Sequence, residues 1–145
     1  MPTAPTADEL LQLPIVEAAL DQAWSDSLPH DPANRHEEVG WIYMDVSSGG
    51  ILIERAAAGT RRRLQLKHPK LHLMHVVVAK FHTHPDPSDE RWDPGPSEED
   101  IRRDNFHGVP DLIMSDSGMF TSGPEQRRGR LSGPHGFPIE VGERR

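Results

Sequence analysis

The sequence predicts one mixed α/β domain of the α+β kind, and three observations carry that prediction. Ile15, Val16, Ala19, Leu20, Ala23 and Trp24 recur at the spacing of one helix face. Two apolar runs, VGWIYMDV from Val39 and ILIERAAA from Ile51, flank a short connection over Ser47 to Gly50, as in a β-hairpin. HVVVAKFH, residues 75–82, is continuous and rich in β-branched residues, as a strand covered on both faces should be. A helix placed ahead of a hairpin breaks the strand–helix–strand alternation of a doubly wound sheet, which leaves α+β. At 145 residues the chain can build one good core and not two.

Each element follows in order. Residues 1–13 read as a flexible leader. Pro14 suits the first turn of the helix that follows, because the N–H it lacks would have no helical partner there. Leu28-Pro29 ends that helix, and HDPANRH is a turn-rich linker into the hairpin. Residues 59–70 are basic and irregular. The strand over 75–82 runs into a proline-rich loop. Ser97 is then a helix N-cap, with acidic residues in the first turn of EEDIRRDNF. GVPDLIMSDSGMFTSGP gives two short strands around a Ser-Asp-Ser-Gly turn. The domain is expected over 14–132, with a glycine- and proline-rich tail over 133–145. There is no internal repeat.

Composition narrows the chemistry. With no cysteine, disulfides, thiolate nucleophiles and cysteine-based zinc sites are excluded, so any metal must be held by His, Asp or Glu. The net charge of -7 argues against general nucleic-acid binding, which wants a basic face. Two basic runs, Arg61 to Arg63 and Arg127 to Arg130, go against that balance and read as solvated faces or, less often for such runs, as docking patches for an acidic partner. No stretch approaches the ~18 apolar residues of a membrane span, and MPTAPTADELLQ lacks the blocks of a signal peptide, so the expected compartment is the cytoplasm.

The stretch that carries chemistry is KFHTHPDPSDERWDPGPSEED, residues 80–100. His82 and His84 stand two apart at a strand end, so alternation points both imidazoles to one face and Thr83 to the other. Asp100 sits one turn into the helix that Ser97 starts. Two histidines and one carboxylate leave a coordination position open, the pattern of a catalytic rather than a structural zinc. His30, His36, His68, His72, His75, His107 and His135 read instead as packing or turn residues.

The order His-x-His-Pro, then Ser-x-x-Asp, resembles the motif of the JAMM (JAB/MPN) metalloprotease family. Upstream, EEVGWIY resembles the family's early strand, and the spacing to Gly40 matches Glu37 rather than Glu38 to its glutamate. The resemblance spans roughly residues 14–130 and looks like a compact bacterial-type member. It implies a JAB/MPN-like, cytidine-deaminase-like mixed β-sheet flanked by helices. It also implies zinc held by His82, His84 and Asp100, Glu37 as general acid/base, and Ser97 as donor to the developing oxyanion. One departure is the connection between Pro85 and Ser97, whose eleven residues exceed the family's usual spacing and include Arg91 and Trp92.

The activity this implies is hydrolysis of the peptide or isopeptide bond after the C-terminal tail of a ubiquitin-like protein. Its setting would be a bacterial ubiquitin-like conjugation pathway or an antiviral operon. Two other readings share the fold: a non-catalytic MPN scaffold, and a DNA-repair- or toxin-associated relative with another substrate. The sequence leaves the oligomeric state open.

Overall fold

A computed structural model describes residues 2–56, 69–86 and 108–123. Among them are two helices, α1 (Ala7–Leu11) and α2 (Pro14–Asp26), and five strands. The strands are β1 (Val39–Asp45), β2 (Ile51–Arg55), β3 (His75–His84), β4 (Asp111–Ser115) and β5 (Gly118–Ser122). They form one mixed sheet in the order β2-β1-β3-β4-β5. The α+β prediction therefore holds at the level of a five-stranded mixed sheet with two helices.

Local chemistry accounts for most of these elements. Pro14 takes the first turn of α2, and Leu28, left-handed at φ 54°, turns the chain away after the Ser27 cap. β1 and β2 pair antiparallel through the expected loop, where Asp45 Oδ1 accepts from the backbone N–H of Ser47 and of Ser48 and from the Ser47 hydroxyl. β3 lies centrally, antiparallel to β1 and parallel to β4, and seven consecutive residues of it are buried. β4 and β5 are the two short strands expected around the Ser-Asp-Ser-Gly turn.

The N-terminus differs from expectation. Residues 1–13 do not all behave as a leader: Thr6 and Glu9 form a capping box that starts α1. Ala4, Ala7 and Leu10 are wholly buried. Leu10 joins Val16, Leu20 and Ala23 against Ile42, Met44, Val78, Phe81 and Leu112 of the sheet. A smaller cluster of Trp41, Tyr43, Val77 and Val109 forms separately from that core. Trp41 and Tyr43 alternate along β1 with Ile42 and Met44 of the core, and a register shift in the β1–β3 pairing between Ile42 and Tyr43 sets Val77 opposite Tyr43.

Gly40 is required where it stands. A Cβ there would collide with the Phe81 ring across the β1–β3 pairing and lie 2.9 Å from the Glu54 carbonyl oxygen. No helix among the described residues is long and apolar enough to cross a membrane.

Candidate metal and acid/base site

The site lies at the C-terminal end of β3. Alternation puts Thr83 on the helix side, where its hydroxyl lies 2.5 Å from the Ser27 Oγ at the end of α2. His82 and His84 therefore project from the other face. Their Nε2 atoms are 2.9 Å apart, with ring centroids 4.7 Å apart and planes inclined at 60°. His82 is 2 % exposed. Its Nδ1 lies 3.1 Å from each carboxylate oxygen of Asp111, which is equally buried at the start of β4.

The segment before β1 brings the acid. Glu37 Oε1 lies 3.8 Å from His84 Nε2. Its neighbour Glu38 is engaged elsewhere: Oε1 accepts from Arg55 Nη2 at 2.5 Å, and Oε2 lies 3.2 Å from His36 Nε2. The two adjacent glutamates are thus divided between the histidine pair and an ion-pair network that reaches Asp26 of α2 through Arg55.

Three further contacts hold this arrangement in register. The Thr83 hydroxyl accepts from the Glu38 N–H at 2.9 Å, and the Thr83 N–H donates to the Glu38 carbonyl at 3.0 Å. One threonine thereby ties the helix end, the glutamate segment and the histidine strand together. The buried Arg35 ion-pairs with Asp86, Nε to Oδ1 at 2.9 Å. That pair joins the chain just before Glu37 to the chain just after Pro85.

The donor set suits zinc as far as it is described. Bonds of about 2.0–2.1 Å require two nitrogen ligands of one ion to lie within about 4 Å of each other, and His82 and His84 meet that bound. Glu37 sits beside the pair, its Oε1 3.8 Å from His84 Nε2. Among the described residues, no group of three or more His, Asp or Glu side chains is arranged to hold a metal. Asp100 and Ser97, the other two residues singled out from the sequence, lie outside the described residues, as do Arg91, Trp92 and both basic runs.

Among the other described histidines, His36, His72 and His75 have structural partners. His72 Nε2 lies 2.7 Å from Glu54 Oε2 and its ring packs edge-on to Tyr43, while His75 Nδ1 lies 2.8 Å from the Leu73 carbonyl. Burial, with Glu54 nearby, raises the Tyr43 phenol above its usual range.

Sequence reasoning missed Asp111, the Arg35–Asp86 pair and the Ser27–Thr83 contact. Asp111 had a visible local setting, an acid opening a predicted strand, but nothing local said which strand lies beside it. No protein-family model matches the chain, and neither the curated proteins nor the solved structures give a match.

Proposed function

We propose that the chain is a zinc-dependent peptidase or isopeptidase of the JAMM type, acting after the C-terminal tail of a ubiquitin-like protein. The observation that carries this reading is the convergence of Glu37 on a histidine pair whose Nε2 atoms lie 2.9 Å apart. The five-stranded mixed sheet with α1 and α2 is compatible with the JAB/MPN fold that the motif implies. In this proposal His82, His84 and Asp100 hold the ion.

Bound zinc supplies Lewis acidity, bringing the pKa of water toward neutrality and polarising the scissile carbonyl. The protein does the rest. Glu37 accepts a proton from the attacking water and returns it to the leaving nitrogen, which needs a carboxylate within one water of the reacting centre. Ser97 donates its hydroxyl to the oxygen on which charge develops. The Arg35–Asp86 pair and Thr83 keep Glu37 and the histidines at fixed separation, because a misplacement of about 1 Å can cost on the order of 100-fold in rate. The substrate tail binds extended, as an added strand.

A panel of ubiquitin-like fusions carrying a C-terminal reporter tests this, using zinc-loaded wild type, Glu37→Ala and chelated protein. Cleavage of at least one fusion by wild type, lost in the other two, is expected. A panel left intact by the zinc-loaded wild type, or cleavage that persists in Glu37→Ala, would contradict it. A protein that takes up no zinc and is indifferent to Glu37→Ala would be a scaffold.

A further inference from the structure

We propose that Asp111 is a positioning residue that sets the tautomer of His82 and so makes its Nε2 the electron-pair donor of the site. The proposal rests on His82 Nδ1 lying 3.1 Å from both Asp111 oxygens, with both side chains 2 % exposed. An ionised carboxylate only accepts hydrogen bonds. The ring nitrogen facing it must then carry the proton, and in a neutral imidazole the other nitrogen is left with the lone pair.

That other nitrogen is the Nε2 that faces His84. The reverse tautomer would set the Nδ1 lone pair against two carboxylate oxygens in a dry pocket and place a proton where a ligand is needed. A carboxylate behind a ligating histidine also raises its basicity and fixes its ring plane.

The fold makes this contact possible through the parallel β3–β4 pairing. Lys80 is the registered partner of Asp111, and His82 pairs with Ile113, so Asp111 reaches the ring diagonally from one step down its own strand. In parallel pairs registered residues share a face, which places Asp111 on the histidine side of the sheet. His84 has Ser115 as its registered partner, and the Ser115 hydroxyl donates to the Gly118 carbonyl instead.

The consequence for zinc affinity rests on the proposed metal site; the tautomer does not. The test therefore has two arms. Long-range 1H–15N correlation on metal-free wild type should show His82 protonated at Nδ1 and bare at Nε2. Competition with a chelator should show zinc held about 10- to 100-fold more weakly by Asp111→Ala. Asp111→Asn, whose amide oxygen can still accept from Nδ1, should recover part of that loss, with circular dichroism confirming that the variants are folded.

Metal-free wild type with His82 protonated at Nε2 would overturn the proposal without any variant. A folded Asp111→Ala with unchanged tautomer and unchanged zinc affinity would overturn it too. A wild type that binds no zinc yet shows the Nδ1–H tautomer, lost in Asp111→Ala, would remove the metal site and leave the positioning role standing.

Discussion

Glu37 and Glu38 are chemically identical neighbours that meet different surroundings. Glu38 is neutralised by Arg55 and faces His36, whereas Glu37 lies 3.8 Å from His84. Substitution should therefore separate them. Glu37→Gln should keep the fold and zinc binding while cleavage falls at least about 100-fold. Glu38→Gln should retain cleavage and lose stability on the order of 1 kcal/mol, because a charge-assisted hydrogen bond is weakened. Cleavage kinetics with chemical denaturation of both variants checks the pair, and equal activity in the two would contradict the assignment. Thr83 makes a second prediction at this scale. Thr83→Val preserves shape and strand preference but leaves the Glu38 N–H without its hydroxyl acceptor. A cost of about 1–3 kcal/mol is expected from denaturant unfolding, mostly recovered in Thr83→Ser.

Among the elements, α1 most changes the picture drawn from the sequence. It has five residues, too few to be stable alone, so its order comes from Leu10 entering the core and from the Thr6–Glu9 box. Leu10→Ala should cost about 2–5 kcal/mol in thermal or denaturant unfolding, the range for a fully buried leucine. A cost near zero would restore the leader reading. The β1–β2 turn gives a pH prediction. The Ser47 hydroxyl, with the N–H groups of Ser47 and Ser48, holds the Asp45 carboxyl at about 2 instead of its ordinary 3.8. The folded state thus favours the ionised form, and the resulting stability is present above about pH 4 and lost as pH falls through about 2. Asp45→Asn should melt below wild type near neutrality, with the difference closing as the pH approaches 2. A gap of constant size across that range would contradict this cause.

For the whole molecule, what was legible in the sequence was what is local. The period of α2, the hairpin loop after Asp45, the covered run of β3 and the shared face of His82 and His84 all follow from neighbouring residues. The start of α1 was legible too, since Thr6-Ala7-Asp8-Glu9 is a capping-box pattern, but its few helical residues and the flanking Pro5 and Pro14 hid it among turn signals. Asp111 beside His82, and Arg35 beside Asp86, depend on register and chain reversal across distant segments, which no local period specifies. The resulting site draws Glu37 from before β1, the histidines from β3 and their support from α2 and β4. Its most direct test is the zinc bound per chain, by elemental analysis after zinc loading and dialysis, in wild type, His82→Ala and His84→Ala. About one equivalent in wild type and near none in the folded variants is the predicted result. Wild type without zinc, or variants that keep a full equivalent, would contradict it.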